Sequence, residues 1–539
     1  LLGPGIGGLI TGVLCTLLTK EGVGPGVTSV MYAVQRKKGK LSWKIGLRKW
    51  LASTATIGSG GSAGAEGPIV TIGAVVGSNI ARLLGTGSQH SATLLGCGAA
   101  AGLASVFNAP IAGIFFVMEL ILRDFSLKTF TPIVIAAVVS SATTQGILGD
   151  AALFDVGDSF VRGDLKFNVL QIPTFLILGL VCGLLGSVFV RSLDTTERLF
   201  ASSRLPIYVR PMVGGLLLGV LGLGIYWFVS TGNIPKFYGN GYPTIEALLD
   251  PNFYFLTDAH EELHKATPIL LALIGLALVK LIATSITVGS GGAGGLFAPS
   301  LMIGAATGGA VGYAVHAIGW FPGTSPAFFA LVGMAALVSA TTHAPLTAIL
   351  IVYEVTQSYE LILPLMFAAV VSTVVSRFMY RESVYTFKLS RLGVRLGSMS
   401  DLTVLRRLTP EDLNVQPATC VQFSDSAQHL VDLMESTGIA EFVVKDDHGK
   451  YCGMVTSEDL RSALVYRESI PLLQVSELQR SDLPTITNEE TLDIVLDKFT
   501  KSDVQSLVIL SDRGEIMGLI SRSSLMSRYQ IALDEDTNQ

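Results

Sequence analysis

The feature that most constrains this chain is an internal repeat of glycine-rich stretches set in apolar sequence. Residues 56–77, TIGSGGSAGAEGPIVTIGAVVG, align without a gap with residues 287–308, TVGSGGAGGLFAPSLMIGAATG. A second pair follows, in which FNAPIAGIFFVMEL at 107–120 matches THAPLTAILIVYEV at 342–355. Two apolar halves with Gly/Pro-broken segments at corresponding positions are typical of transporters whose substrate site lies between the repeats. The repeat therefore predicts a transport site between two halves of a membrane protein.

The first glycine-rich stretch holds one ionisable side chain, Glu66, which Gly67 and Pro68 follow directly. An acid at membrane depth is costly unless it faces a cavity, a partner or bound water, so it marks a functional site. Pro68 suits the first turn of a helix, whose free N–H groups would point at whatever Glu66 occupies. Burial favours the protonated carboxyl group and helix N-termini favour the carboxylate, so its state can follow its surroundings. This predicts an anion site already holding a carboxylate; a structural acid paired with a base is the alternative.

Composition divides the chain into a membrane part and a water-soluble part. Half of the residues are hydrophobic and 15% are charged, which places the chain with membrane proteins. Towards the C-terminus no apolar span of about 20 residues, the length that a bilayer requires, remains. The net charge of -5 is too small to indicate nucleic acid as a partner. We expect a transmembrane domain at 1–395, with halves of about 1–200 and 201–395, and a cytoplasmic domain at 396–539.

Basic residues predict the orientation. The run QRKKGKLSWKIGLRK at 35–49 is typical of a short basic loop, and a second basic cluster lies at 377–395. Short basic loops lie on the cytoplasmic side, which predicts an inner-membrane protein with a cytoplasmic C-terminal domain. The five cysteines show no paired spacing, so we expect neither a disulfide framework nor a zinc site. Because the chain begins in apolar sequence at Leu1, we expect that residues are missing before it.

Three short glycine-rich motifs stand in this order along the chain: GPGVT at 24–28, GAEGP at 64–68 and GLFAP at 295–299. They resemble the anion-binding signatures of the CLC family of chloride channels and chloride/proton exchangers. The resemblance covers essentially the whole chain and implies a mainly α-helical, polytopic membrane protein of the CLC fold, with two inverted-topology repeats of broken helices. It also implies a homodimer in the lipid bilayer with one anion pathway per subunit. The transported species would be chloride or nitrate, and in an exchanger also protons.

The resemblance implies roles for individual residues. Glu66 matches the external gating glutamate, which as an anion blocks the site and on protonation swings away. Leu296 and Phe297 match positions whose backbone N–H groups hold the central anion, and Phe297 would also narrow the path; a core helix start is the alternative. Tyr385 matches a tyrosine that coordinates the anion at the inner gate, with an interfacial tyrosine as the alternative. The implied anion-binding residues are Gly24, Pro25, Gly26, Ala65, Glu66, Gly67, Leu296, Phe297 and Tyr385.

The inner motif departs from the family pattern. CLC proteins usually carry serine at its second position and proline at its fifth, where this chain has Pro25 and Thr28. Pro25 offers an anion neither a hydroxyl nor an N–H group. Because members with proline there resemble nitrate-preferring exchangers, nitrate is a candidate beside chloride.

A second departure concerns protons. Exchangers commonly carry two adjacent glutamates after the FNAP motif, the second of which relays protons, but in this chain Glu119 is followed by Leu120. Leu120 cannot relay a proton, which favours a voltage-gated chloride channel or a weakly coupled conductor. A chloride (or nitrate)/proton antiporter is the alternative, because water or another acid could serve. Since Glu119 is repeated as Glu354, we expect both to cap or bridge helices.

The C-terminal part contains its own repeat, in which residues 441–460 align with residues 506–525. The pattern of each copy predicts a strand, an Asp/Gly turn, a second strand and a helix. This α/β pattern resembles a pair of CBS domains, which often bind adenine nucleotides. The expected CBS domains span about 405–467 and 473–530.

The acid that holds the ribose in CBS domains follows Ser/Thr of the second strand. The first copy has it, as Thr456 and Asp459, whereas the second has Ser521 and Ser524. Binding of ATP or AMP through the first copy, and a purely structural or dimerising tail, both stay open. We expect no required cofactor.

One motif indicates a different class of protein. HEELH at 260–264 would place His260 and His264 on one face of a helix, as in zinc metalloproteases. The motif lies in a polar loop segment and has no obvious third ligand, so we expect neither a metal site nor an enzyme. A transporter of a larger solute would need a polar pocket, whereas the matched positions offer backbone dipoles and one acid. Anion transport is the function that the sequence favours.

Overall fold

The chain divides into a helical unit, Leu1–Leu396, and a smaller unit that contains two sheets, Gly397–Gln539. The computed structural model describes residues 2–18, 26–149, 154, 169–229, 236–254, 262–321, 324–356, 361–392, 394, 405–406, 408–465, 467–511 and 514–537.

The first unit contains sixteen α-helices among its described residues. In chain order they are α1 (Gly3–Leu18), α2 (Gly26–Arg36), α3 (Trp43–Gly58), α4 (Glu66–Leu83), α5 (Ser88–Phe107), α6 (Pro110–Phe116), α7 (Leu127–Leu148), α8 (Ile172–Ser202), α9 (Arg210–Val229), α10 (Tyr242–Leu249), α11 (Glu262–Gly289), α12 (Phe297–Ala317), α13 (Pro326–Thr342), α14 (Pro345–Thr356), α15 (Ile362–Met379) and α16 (Phe387–Arg391). A π-helical turn, Val117–Leu122, continues α6. In the described part of the chain, seven helices are long and apolar enough to cross a membrane.

Two long apolar segments of the sequence are broken at matching positions. Asn108 ends α5 in the left-handed conformation, and Pro110 begins α6. In the second half His343 ends α13 in the same conformation, and Pro345 begins α14. A left-handed residue ends the helix, and proline begins a new one because its missing N–H group has no partner to lose. The broken helices that the sequence predicts are confirmed.

The interpretation of the basic run as a loop is wrong for its second part. Residues from Trp43 onward form α3, because the apolar positions that follow sustain a helix. Arg48 and Lys49 are buried in that helix, whereas Lys38 and Lys40 are exposed between α2 and α3. The exposed positive charge of this loop is therefore smaller than the sequence suggests.

Equivalent residues of the two halves bond to each other. Gly64 donates its N–H to the Gly295 carbonyl at 2.9 Å, and Gly295 donates back to Gly64 at 2.6 Å. A residue that pairs with its own equivalent lies on a two-fold axis between the halves. A second reciprocal pair of bonds runs from Ser62 N to Thr287 Oγ1 at 3.2 Å and from Ala293 N to Thr56 Oγ1 at 3.1 Å.

Glycines set the distance between the main helix pairs. Gly73 of α4 faces Gly98 of α5, and Gly304 of α12 faces Gly333 of α13, so closely that a Cβ atom on any of the four would clash with the opposing backbone. Small residues allow such close approach of helices in membranes. Because both halves use the same contact, α4 and α12 are held in equivalent places.

The second unit contains two three-stranded sheets of the same topology. In each sheet the first strand is parallel to the second and the third is antiparallel to it. Its strands and helices are β1 (Cys420–Gln422), α17 (Ala427–Thr437), β2 (Phe442–Lys445), β3 (Tyr451–Val455), α18 (Ser457–Leu464), α19 (Val475–Leu478), β4 (Ile486–Thr487), α20 (Leu492–Ser502), β5 (Ser506–Leu510), β6 (Ile516–Ser521) and α21 (Arg522–Thr537). The predicted order of strand, turn, strand and helix is present in both copies.

The two copies exchange their leading segments. Gln416, which precedes the first copy, pairs with Leu519 of β6, and Arg480, which precedes the second, pairs with Met454 of β3. Both pairings are reciprocal backbone hydrogen bonds of 2.8 to 3.1 Å. The copies are therefore interlocked rather than merely adjacent.

Candidate functional site

The Gly64–Gly295 pairing brings two helix N-termini together. Ala65 caps α4 and Glu66 begins it, while Leu296 caps α12 and Phe297 begins it. The first amides of a helix have no intrahelical partner and carry the positive end of its dipole. Two such ends, one from each half, converge on this region.

The Glu66 side chain is 2% exposed. Its Oε1 accepts a hydrogen bond from the Tyr242 hydroxyl. Its Oε2 is buried and has no hydrogen-bond partner of normal geometry among the described residues, although the amides of Glu66 and Ala298 lie beside the carboxyl group. A Cβ atom at Gly64 would clash with Oε2, so glycine is needed where this oxygen lies. The carboxyl group thus occupies the place at which the N-termini of α4 and α12 converge.

Helix α2 and Tyr385 border the same region. Gly26 begins α2 so close to the first turn of α4 that a Cβ atom on it would lie 2.5 Å from the Gly67 carbonyl oxygen. Thr28 Oγ1 donates to the Tyr385 carbonyl at 3.2 Å. The Tyr385 side chain is 3% exposed, and its ring packs edge-on against Phe116 at 6.4 Å. The inner motif and the predicted inner tyrosine are therefore in contact.

Phe297 is buried and packs edge-on against Phe107, with ring centroids 5.5 Å apart. Its ring lies at the start of α12, next to the converging amides. The structure brings together seven residues that the sequence predicts for the anion site: Gly26, Ala65, Glu66, Gly67, Leu296, Phe297 and Tyr385.

Two predicted anion-site residues and the histidines of the HEELH motif are not described, or only through their backbone. Gly24, Pro25 and His260 lie outside the described residues, as does the side chain of His264. Over the residues that the structure does describe, no group of three or more His, Cys, Asp and Glu side chains could hold a metal ion.

Glu354 caps a helix of the other half. Its Oε1 accepts from the Ile111 amide at 2.9 Å, and its Oε2 accepts from the Ala112 amide at 2.7 Å. Pro110, the first residue of α6, has no N–H group, so these are the two amides of the first turn that need partners. One carboxylate therefore satisfies the start of α6.

Glu119 does the same for α14. Its carboxylate accepts from the amides of Leu346 and Thr347 at 3.2 and 2.8 Å, and from the Thr347 hydroxyl at 2.7 Å. The predicted capping role of Glu119 and Glu354 is confirmed, and the two caps are reciprocal. Leu120, the next residue, is 2% exposed in the π-helical turn.

Sequence reasoning missed two polar residues near Glu66. Tyr242 begins α10 and bonds to the carboxyl group. Lys280 of α11 is fully buried and interacts electrostatically with Glu66. Lys280 is the only ionisable residue between 269 and 289, so the rule that singled out Glu66 could have found it. Nothing in the sequence links Tyr242 to Glu66.

In the second unit, Thr456 and Asp459 form a capping box at the start of α18. The Asp459 carboxylate accepts from the Thr456 amide and hydroxyl at 3.0 and 2.6 Å, and Thr456 Oγ1 accepts from the Asp459 amide at 3.3 Å. In the second copy Ser521 Oγ accepts from the Ser524 amide at 3.1 Å, without an acid.

A cavity of about 440 Å³ lies beside this capping box. The first copy lines it with Thr456 and the face of α18, and the second copy with residues 503–505. Three of its lining side chains are acidic, Glu441, Glu458 and Asp503, and one, Arg461, is basic.

Comparison with known proteins assigns the helical unit. The profile of the family described as voltage gated chloride channel (Voltage_CLC) matches residues 7–377. The chain belongs to this CLC family. The CBS domain matches residues 411–466 and 475–530, so a CBS pair follows the CLC unit. The expected family and fold class are confirmed.

Curated relatives share the CLC unit. A putative chloride channel protein ClcB-like from Ralstonia nicotianae is 34% identical over 399 residues, which are 72% of this chain and 85% of that protein. The voltage-gated ClC-type chloride channel ClcB of Escherichia coli O9:H4 is 33% identical over 390 residues, 71% of this chain and 85% of that protein.

Solved CLC structures are also similar. A slow cyanobacterial Cl⁻/H⁺ antiporter has a TM-score of 0.58 and 28% identity, covering 73% of this chain and 87% of that chain. A eukaryotic CLC transporter has a TM-score of 0.59 and covers 97% of this chain and 88% of that chain, but at 20% identity it shows the fold alone. These relatives are channels, transporters and antiporters, which supports a transport protein rather than an enzyme.

Proposed function

We propose that this protein conducts chloride or a similarly small anion across the membrane, and that Glu66 gates the pathway. The observation that carries the proposal is the place of the Glu66 carboxyl group, buried where the N-termini of α4 and α12 converge. Helix N-termini bind anions through free N–H groups and the dipole. A carboxylate in this place excludes a diffusing anion, and a protonated or displaced carboxyl group leaves the place free. The curated relatives named as chloride channels support this substrate.

The proposed path continues from Glu66 to Tyr385. Leu296 and Phe297 supply the amides beside the anion, and the Phe297 ring narrows the path. Gly26 of the inner motif lies against Gly67. In the proposal, Gly24, Pro25 and Ala65 complete the anion-binding set.

We infer channel-like or weakly coupled conduction. Leu120 has no titratable group, and Glu119 is engaged in capping α14. Neither side chain is free to relay protons from the cytoplasm. A pathway with a protonatable outer gate and no inner relay conducts anions without a fixed proton stoichiometry.

A chloride/proton antiporter is the second candidate. It is favoured by the 28% identity to a structure described as a slow cyanobacterial Cl⁻/H⁺ antiporter. In that case water or another acid would replace the missing relay.

The deciding experiment uses purified protein in liposomes with an outward chloride gradient. We expect anion efflux without proton movement, and faster efflux with Glu66→Ala because the blocking carboxylate is gone. Glu246→Ala is the matched control, since Glu246 is an exposed glutamate of α10. Uphill proton movement in the wild type, lost in Glu66→Ala, would establish the antiporter. Unchanged anion efflux in Glu66→Ala would refute the gating role.

The anion preference is tested in the same liposomes. The proline at position 25 offers no hydrogen bond to an anion, so we propose that nitrate is carried beside chloride. When nitrate replaces the internal chloride, we expect nitrate efflux of the same order of magnitude as chloride efflux. A Pro25→Ser variant should shift the ratio towards chloride, and an unchanged ratio would remove Pro25 as a determinant.

We propose a homodimer in the inner membrane with the CBS pair in the cytoplasm. Exposed Lys38 and Lys40 between α2 and α3 support this orientation. Cys420 of the second unit is exposed, whereas Cys97 and Cys182 are buried. A membrane-impermeant maleimide should therefore label Cys420 in inverted vesicles but not in intact cells, with Cys420→Ser as the control. Labelling of Cys420 in intact cells would contradict the proposed orientation. Mass photometry of the purified protein tests the homodimer.

We propose that the cavity beside Thr456 binds an adenine nucleotide, with AMP preferred to ATP. Three acidic side chains and one arginine line the cavity. The net negative charge of this lining disfavours the triphosphate of ATP more than the single phosphate of AMP. Isothermal titration of the full chain should give tighter binding of AMP, weakened in Thr456→Ala and Asp459→Ala. Absence of binding by either nucleotide would leave the tail a structural or dimerising module.

A further inference from the structure

Lys280 is a buried lysine in an otherwise apolar stretch of α11. Its side chain is 0% exposed, and its Nζ donates to the carbonyls of Phe237 and Gly239 at 3.0 and 2.8 Å. A lysine at membrane depth is costly unless it is paired or bonded to carbonyls. The two carbonyls and the electrostatic interaction with Glu66 supply that compensation. Lys280 therefore anchors the segment 237–239 to α11.

The anchored segment leads directly to Tyr242. Gly241 adopts a left-handed conformation, with φ of 89°, and a Cβ atom on it would clash with Met302 of α12. The turn is thus pinned between Lys280 on one side and α12 on the other. Tyr242 follows as the first residue of α10, and its ring packs edge-on against Phe154 at 5.4 Å. These contacts fix the place of the Tyr242 hydroxyl.

The hydroxyl donates to Glu66 Oε1. Among the described residues, the titratable groups that interact with the Glu66 carboxyl group are Tyr242, Lys280 and Tyr385. Of these, Tyr242 alone is hydrogen-bonded to it. To leave its place between the helix N-termini, the carboxylate must break this bond.

We propose that Tyr242 is a positioning residue of the gate, which holds the Glu66 carboxylate in the blocking place, and that Lys280 positions Tyr242 through the 237–241 turn. This proposal rests on the proposed gating role of Glu66. Removing the hydroxyl releases the carboxylate and also removes a donor that favours its charged form. The gate of a Tyr242→Phe variant therefore opens more often and opens at higher pH.

The test measures chloride efflux from liposomes between pH 4.5 and 8.5. A hydrogen bond to a charged group contributes enough to change an equilibrium about ten- to hundredfold. We expect Tyr242→Phe to raise efflux about tenfold or more at neutral pH, and to move the midpoint of the efflux–pH curve up by about one to two pH units. Tyr254→Phe is the matched control, because the Tyr254 hydroxyl is also buried but donates to the Leu248 carbonyl at 2.9 Å.

Double variants show whether the residues act through one another. In a Glu66→Gln background, Tyr242→Phe should leave the efflux unchanged, since there is no carboxylate to hold. Lys280→Met should reproduce the effect of Tyr242→Phe and add nothing to it, and Lys280→Arg should retain part of the wild-type pH profile. If Lys280→Met does not yield folded protein, as judged by size-exclusion chromatography, the Tyr242→Phe measurements still decide the proposal.

The outcomes separate the two proposals. If Glu66→Gln leaves efflux and its pH profile unchanged, the gating role fails. If Glu66→Gln changes them but Tyr242→Phe does not, only the positioning role fails. An equally large effect of Tyr242→Phe with and without the Glu66 carboxylate would also overturn it, because the tyrosine would then act independently of Glu66.

Discussion

Replacing Glu354 by glutamine should destabilise the helical unit by removing the cap of α6. The carboxylate accepts the amides of Ile111 and Ala112 at 2.9 and 2.7 Å. Hydrogen bonds to charged groups contribute about 1.5–3 kcal/mol each, so loss of both would cost about 3–6 kcal/mol. Glutamine keeps one acceptor oxygen and loses the charge, which reduces the expected cost to about 2–4 kcal/mol.

The assay is thermal unfolding of the purified protein in detergent, in which size-exclusion chromatography measures the fraction that stays folded at each temperature. For a unit of this size we expect about 1–2 °C per kcal/mol, hence a fall in Tm of roughly 2–8 °C. The exposed Glu246→Gln is the control and should change stability by no more than about 0.5 kcal/mol. Glu119→Gln should resemble Glu354→Gln, since it removes the equivalent cap of α14.

A Tm for Glu354→Gln within about 1 °C of the wild type, as for a surface substitution, would refute the capping argument. Anion efflux gives an independent check. Because capping is a structural role, the folded fraction of Glu119→Gln should conduct as the wild type does. A selective loss of proton movement in Glu119→Gln, with normal anion efflux and stability, would instead make Glu119 a proton relay.

Three further predictions concern other parts of the chain. Gly304→Ala should lower the yield of folded protein, because its Cβ atom would clash with the Gly333 backbone of α13. Gly275→Ala of α11 is the control and should be tolerated, because its Cβ atom meets nothing within 4 Å. Expression followed by size-exclusion chromatography measures the yield of both variants. Thr456→Ala removes the N-cap of α18 and should destabilise the CBS pair by about 1 kcal/mol, seen as faster limited proteolysis of the second unit in the full chain. Burial raises the pKa of Tyr451 to about 12, so its contribution to stability is present below the ordinary tyrosine pKa of about 10 and is lost as pH rises through the folded value. Tyr451→Phe should reduce the alkaline rise in proteolysis, and an unchanged pH dependence would contradict this reasoning.

The repeat carried most of what the sequence could predict. Matching glycines, prolines and acids at constant offsets imply matching contacts, and the structure shows them in the Gly64–Gly295 pairing and in the caps at Glu119 and Glu354. Helix starts were also predictable, because Pro110 and Pro345 mark them locally. The residues predicted for the anion site came from the family resemblance, and their role stays a prediction.

Other features depend on packing that sequence patterns do not encode. The bond between Tyr242 and Glu66 joins residues that share no motif, and the turn that precedes Tyr242 contacts Lys280 and α12, which lie far from it in the sequence. The sequence pattern did not predict helix α3, because its basic residues are typical of a loop. In the structure two of them, Arg48 and Lys49, are buried in the helix. Lys280 was overlooked because the segment around it is otherwise apolar.

The two-fold relation between the halves fails at one informative position. Glu66 begins α4, and its equivalent at the start of α12 is Phe297. A path made of two identical halves, related by an axis in the membrane plane, would present the same energy profile to an ion arriving from either side. An acid on one side of the axis and an aromatic ring on the other would make the energy profile of the ion asymmetric. If the proposed anion path runs through this region, we expect it to rectify, so that the current differs in size between the two directions of the driving force.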